Sequence, residues 1–250
     1  MDVQAYLTRI RYSGPLGVSL QTLRYLHRSH LLAVPFENLD IALGRPIILD
    51  EDRLFTKIVE NRRGGFCYEL NGLFGSLLRA LGFEVKMISA GVAREAGGFG
   101  PEFDHMALQV GLGDSWLADV GFGDSFLEPI PLVDSIVTQD PTGAYRVDPE
   151  GLLYQVMLRC DDPGNWKPQY RFSLTRREFT DYEEMCLYHQ TSPNSSFTQG
   201  RVCSLATETG RITLSGTKLI ETNRRVRTER TLSSEDEARK ILSELFDVSI

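Results

Sequence analysis

Over the first third of the chain, apolar residues recur every three to four positions. Gln4–Ile10, Ser19–Leu32, Asp50–Glu60 and Phe66–Leu81 carry this spacing and predict helices, the last ending at Gly82-Phe83. From Glu84 the period shortens to two. Short alternating runs at Val85–Ser89, Met106–Val110, Trp116–Val120, Tyr154–Arg159 and Tyr170–Leu174 are cut by Gly, Pro and Asp, which predicts an antiparallel sheet or barrel. Further strands are expected at Val202–Ala206, Arg211–Leu214 and Lys218–Glu221. A last helix is opened by the capping-box pattern Ser234-Glu235-Asp236-Glu237, with Ile241, Leu242, Leu245 and Phe246 as its apolar face. The order gives an α+β chain in three units, 1–83, 84–190 and 191–250. No low-complexity stretch or long linker separates them.

One helix start holds chemistry. Arg63-Gly64-Gly65-Phe66-Cys67-Tyr68-Glu69 combines two glycines, which free the backbone for a tight turn, with a cysteine in the first helical turn. There the helix dipole and the unpaired N–H groups favour thiolate over thiol. Cys67 also falls just off the apolar stripe, where a purely structural cysteine would sit.

A nucleophile needs a base, and the chain has four histidines. His27 and His30 lie in a helical segment and read as surface or capping residues; His189 precedes a turn-rich stretch and reads as surface. His105 differs, because it opens the strand pattern Met106, Leu108, Val110 and faces away from that apolar side. The next strand, Trp116–Val120, carries Asp119 in an apolar run, where a carboxylate needs a partner. A three-residue loop at 111–113 would place His105 directly opposite Asp119, within reach of a hydrogen bond; a shift of one residue would put them on opposite faces. Asp104 and Asp114 are the alternative carboxylates, the first pointing to the other face and the second a turn residue. Cys67, His105 and Asp119 form a nucleophile, base and orienter.

Composition narrows the setting. A net charge of −7 disfavours a nucleic-acid partner, and the run Arg224, Arg225, Arg227, Arg230 reads as a solvated strand edge, with contact to phosphates as the sharper alternative. The N-terminus lacks a basic start and apolar core, and no apolar run approaches a membrane span, so a cytoplasmic protein away from membranes is expected. The four cysteines lack metal spacing, so no metal is expected, and Cys160, Cys186 and Cys203 read as reduced structural residues.

Three blocks resemble the arylamine N-acetyltransferases: Val34-Pro35-Phe36-Glu37-Asn38-Leu39-Asp40-Ile41, then Arg63 through Asn71, then His105 through Gly123. The likeness is strong over roughly residues 5–130 and weaker beyond. It implies a helical bundle, a β-barrel and an α/β lid, with a cysteine-protease-like triad of Cys67, His105 and Asp119. It implies a ping-pong reaction in which Cys67 takes the acetyl group from acetyl-CoA and passes it to an arylamine or hydrazine, with no tightly bound cofactor. The resemblance also implies an acceptor pocket near Phe36, Phe122 and Phe126, and coenzyme A near Gly98, Phe99 and Gly100. It implies a site-ordering role for Arg63, paired with Glu37 and Asp40. Two other reactions fit the same residues, an amide synthase using another acyl thioester and a cysteine hydrolase; a non-catalytic binding protein is the fallback. The oligomeric state is not legible.

Overall fold

The computed structural model describes residues 1–159, 164–224 and 226–250. Cys160 and Arg225 lie outside these residues. Helix α1 (Val3–Arg9) is capped by the Asp2 carboxylate, which accepts the Ala5 N–H, and α2 (Leu20–Ala33) by the Ser19 hydroxyl, which accepts the Thr22 N–H. A two-residue strand β1 (Phe36–Glu37) and a short helix α3 (Leu39–Ala42) follow. Helix α4 (Glu51–Phe55) then widens into a π-helical turn over Thr56–Glu60, so the single helix expected there changes its winding halfway. Arg9 stitches these pieces together. Its buried guanidinium donates to the carbonyls of Ala33 at 2.7 Å and Ile58 at 2.9 Å.

Helix α5 (Cys67–Ala80) is buried on every residue from Cys67 to Leu78. It is buried all round because α1 and α4 cover one side and a sheet covers the other. That sheet has eight antiparallel strands: β2 (Glu84–Val92), β3 (His105–Leu112), β4 (Asp114–Ala118), β5 (Ile130–Pro131), β6 (Thr138–Asp140), β7 (Gly143–Glu150), β8 (Leu153–Arg159) and β9 (Trp166–Phe172). Their order is β5-β4-β3-β2-β9-β8-β7-β6, and a bridge between Asp134 and Val147 draws the two ends together into a nearly closed barrel. Strand β3 is the shared wall. Met106, Leu108 and Val110 pack toward α5, while Ala107 faces the barrel core with Leu117, Tyr145 and Phe172.

The β3–β4 hairpin corrects the expected register. Leu112 pairs with Asp114 around Gly113 alone, whose φ is +84°, and Leu108 pairs with Ala118. The turn is tighter than three residues because glycine tolerates this left-handed conformation. The slip is two residues, which preserves the face, so His105 and Asp119 stay on one side but meet diagonally.

After β9, a 3₁₀ turn (Phe179–Tyr182), α6 (Glu183–Thr191) and α7 (Ser196–Gln199) return to the helices, and Tyr182 and Cys186 join the helical core. The last unit is a second sheet of β10 (Val202–Thr207), β11 (Gly210–Ser215), β12 (Lys218–Asn223) and β13 (Val226–Thr231), with β1 on its first edge. Helix α8 (Glu235–Phe246) lays Ile241, Leu242 and Phe246 on Leu214 and Leu219. The chain is α+β, as its periodicity predicts. Arg227 and Arg230 lie on the exposed edge strand β13, 3.3 Å from Glu229 and 2.6 Å from Glu237 respectively.

Candidate active site

The turn before α5 is held from two directions. The Glu37 N–H donates to the Gly65 carbonyl at 2.8 Å, so β1 lies along the glycine turn. A Cβ on Gly64 would come within 2.0 Å of the Pro35 carbonyl oxygen, which explains why the close approach needs glycine. Below the turn lies a buried charge cluster. Arg63 donates to Glu37 at 2.7 and 3.0 Å and to Asp40 at 3.0 Å. Lys57 bridges Asp40 at 2.8 Å and Glu69 at 2.7 Å. The other oxygen of Glu69 accepts the Phe66 N–H at 3.1 Å, capping α5 one residue ahead of Cys67. Burial raises the Glu69 carboxyl, opposed by Lys57.

Lys57 and Glu69 were not singled out in the sequence. Glu69 had a legible signal, a carboxylate in the first turn of a helix. Lys57 had none, because its partners are distant in the chain.

Cys67 is buried, 3% exposed. Burial pushes its thiol well up, and the nearby Met106 backbone opposes that only partly. The expected lowering by the helix start is therefore outweighed by loss of water. Met106 precedes Ala107 in β3, the strand that His105 opens and that packs on α5.

His105 Nε2–H donates to Asp119 Oδ2 at 2.8 Å, with both side chains buried. Asp119 Oδ1 accepts from Asn71 Nδ2 at 2.9 Å and from the Gly121 N–H at 3.0 Å. Burial raises the Asp119 carboxyl, but His105, Asn71 and Gly121 together bring it below the ordinary carboxylate value. Asn71 lies one helical turn beyond Cys67, a spacing that puts both on one face of α5 and was a usable signal. It also donates to the Met106 carbonyl at 2.6 Å and accepts the Val120 N–H at 2.9 Å, which ties α5 to both strands.

The remaining histidines correct the sequence reading. His27 and His30 are fully buried, and His189 is 5% exposed. They face inward because α2 and α6 are covered on the sides that carry them. His189 Nδ1 lies 3.0 Å from Ser195 Oγ, and its Nε2 lies 3.4 Å from Asp104. Asp104 thus turns away from His105, and Asp114 is exposed at the start of β4.

The aromatic candidates separate. Phe122 stands edge-on to His105 at 5.3 Å, and Phe36 is half-buried beside Gly123 and Phe197. Phe126 is 1% exposed, stacked on His27 at 5.9 Å and edge-on to Tyr145 at 5.5 Å. It fills the barrel core and presents no ring to a pocket. The next loop after β2 places Phe99 under the Arg171 guanidinium at 4.6 Å, bridged to Ala93. Gly98 is left-handed with open space around it, and the Gly100 N–H donates to the Val92 carbonyl at 2.7 Å.

A helical unit docked on an antiparallel barrel, with Cys67 at the start of α5 and the buried His105–Asp119 pair on the barrel side, is an α+β architecture shared with one acetyltransferase family. The sequence profile of that family, described as N-acetyltransferase, matches residues 19–250. An arylamine N-acetyltransferase of Mycolicibacterium smegmatis is 38% identical over 88% of this chain and 82% of its own length. Proansamycin X synthase of Amycolatopsis mediterranei is 32% identical over 98% and 96%. The structure of Mycobacterium marinum arylamine N-acetyltransferase in complex with CoA superposes with a TM-score of 0.92, at 31% identity, covering 99% of this chain and 93% of that one. The chain belongs to the arylamine N-acetyltransferase family.

Proposed function

We propose that this protein transfers an acetyl group from acetyl-CoA to an arylamine or hydrazine through a thioester on Cys67. The observation that carries the reading is the buried His105–Asp119 pair, 2.8 Å apart, whose carboxylate is tied to α5 through Asn71, one turn beyond Cys67. With Nε2 committed to Asp119, Nδ1 of His105 is the nitrogen that accepts the Cys67 proton. The sulfur attacks the thioester carbonyl, the acetyl-carbon bond to the CoA sulfur breaks, and the CoA thiolate leaves with the proton from His105. The amine then attacks acetyl-Cys67; its proton passes to His105 and on to the departing Cys67 sulfur. The Cys67 N–H, in the first turn of α5, is the oxyanion donor we assign.

Arg63, Glu37 and Asp40 order the turn rather than touch substrate. Phe122 and Phe36 form the aromatic wall for the amine, and Gly98, Phe99 and Gly100 lie along the path of coenzyme A. A reducing, cytoplasmic setting fits the free thiols of Cys67, Cys186 and Cys203. No helix among the described residues is long and apolar enough to cross a membrane.

The test is thiol release from acetyl-CoA with and without an aniline. The reading expects about one equivalent of thiol without amine, turnover with it, and neither in Cys67→Ala. Steady thiol release without amine would make the protein a hydrolase and sink the transferase reading. A second reading, transfer of another acyl group, is favoured by the near full-length match to a relative named as a synthase. It predicts slow loading by acetyl-CoA and fast loading by a longer acyl thioester.

A further inference from the structure

Asp119 lies one residue beyond the end of β4, where the strand ladder no longer supplies a partner for its backbone N–H. A side chain from α2 takes that place. The Asp119 N–H donates to His27 Nε2 at 3.0 Å. Since an amide N–H can only donate, Nε2 must hold a lone pair, and the ring proton must sit on Nδ1. Nδ1 lies 2.8 Å from the Leu127 carbonyl oxygen, which can only accept. Both ends of the 119–127 loop are therefore pinned by one neutral imidazole in one tautomer. The ring is fully buried, with Phe126 stacked at 5.9 Å and Phe74 edge-on at 6.0 Å.

We propose that His27 is a positioning residue for acyl transfer, fixing the backbone of Asp119 and through it the orientation of His105. The inference rests on the reading of Cys67, His105 and Asp119 as a triad. Packing alone does not call for an imidazole here: a phenylalanine would fill the space without the cost of burying two polar nitrogens. The two hydrogen bonds offset that cost only when both are made. They hold the one residue whose carboxylate grips His105, at a point where a displacement on the order of 1 Å is enough to spoil catalysis.

The arrangement works only while His27 is neutral. A protonated ring would turn an N–H toward the Asp119 N–H and break the contact. The titratable groups around it are the Asp119 and Asp140 carboxylates, the latter bound to the Leu127 and Glu128 N–H groups, and His30 one turn along α2. Burial is the largest influence and outweighs the two acids, so the His27 imidazole is held below its ordinary value, which favours the neutral ring.

Three variants separate this role from simple packing. His27→Gln keeps an acceptor near the position of Nε2, His27→Asn keeps only a group near Nδ1, and His27→Phe fills the space with neither. Single-turnover thiol release from acetyl-CoA and the pH profile of Cys67 alkylation by iodoacetamide are the readouts, with circular dichroism checking the fold. We expect His27→Phe and His27→Asn to load on the order of 10²-fold more slowly, with their thiol titration moved upward, and His27→Gln to recover most of the rate. A folded His27→Phe or His27→Asn with the parent's loading rate and alkylation profile would overturn the proposal. So would a His27→Gln as impaired as His27→Asn, a comparison that stands even if the phenylalanine variant does not fold. Asp119→Asn is the control for the triad itself. If it is crippled while His27→Asn is not, only this inference falls; if Asp119→Asn also loads normally, the triad reading fails with it.

Discussion

Asp119 receives three hydrogen bonds, and all three come from donors: Asn71, the Gly121 N–H and His105. Replacing it with asparagine keeps the shape but removes one acceptor. If the amide oxygen stays with Asn71 and Gly121, the NH₂ group faces His105 Nε2, and His105 must move its proton to Nδ1 to avoid two opposed donors. That takes away the lone pair meant for the Cys67 proton. Asp119→Asn is therefore expected to lower the loading rate by about 10⁴-fold, the scale seen when the same change is made in a serine triad. Rapid-quench measurement of acetyl-enzyme checks it, and a loss under tenfold would show that Asp119 does not set the tautomer. The thiol makes a related prediction. Cys67, Cys186 and Cys203 are all buried, and burial pushes each of their thiols up, Cys186 to about 12. Burial thus gives none of these three an advantage, and of the three Cys67 is the one we propose to be served by His105. Iodoacetamide should label Cys67 first in the parent protein, and that preference should disappear in His105→Ala.

At the scale of elements, the start of α5 is where close packing and charge meet. A Cβ on Gly121 would lie 2.7 Å from the Cys67 Cα and 2.7 Å from Asn71 Nδ2. These are backbone and buried side-chain atoms with no room to retreat. Gly121→Ala should push the nucleophile away from His105, cutting loading at least 10²-fold while circular dichroism stays close to the parent's. Lys57→Met tests the other side of the turn. It leaves Asp40 and Glu69 without their shared cation, and breaking a buried pair typically costs about 3–5 kcal/mol, which should appear as a lower urea midpoint. An unchanged midpoint would mean the cluster contributes little to holding the turn. The two halves of this region were unequally legible. The helix, its glycine turn and the strand with His105 follow from local periodicity and residue type. The charge cluster does not, because Lys57 sits in a π-turn and meets Asp40 and Glu69 only after three separate segments pack. The hairpin shows the same limit: alternation fixed the face of His105 and Asp119, but the tight Gly113 turn moved the register by two. His27 and His30 looked like surface residues because nothing local reveals that a barrel loop covers α2.

Across the whole molecule, the same burial makes stability depend on pH in a definite direction. Burial lowers the His27 and His30 imidazoles from the ordinary value of 6.5, with Arg9 and His27 adding to the effect on His30. In the folded chain both stay neutral, while in the unfolded chain both take up a proton as pH falls through 6.5. The unfolded state then binds more protons, so stability is fully present above that value and is lost on the way down, until the folded-state values are reached. The slope is roughly 1.4 kcal/mol per pH unit for each histidine. Overall charge pushes the other way: the net charge of −7 shrinks toward zero as pH approaches 5.2, which relieves self-repulsion and favours the compact state. A drop in stability in that interval therefore identifies specific groups rather than net charge. Asp40 and Asp119, both held below the ordinary carboxylate value, add their own loss only at lower pH, below about 3.8. Urea midpoints taken in small steps from above 6.5 down to 5.2 should fall steadily in the parent protein, and the fall should be shallower in His30→Gln. Midpoints that hold level or rise across the interval would mean that these histidines can take up protons without opening the helix–barrel junction, and the tight packing of α2 against the 119–127 loop would have to be revised.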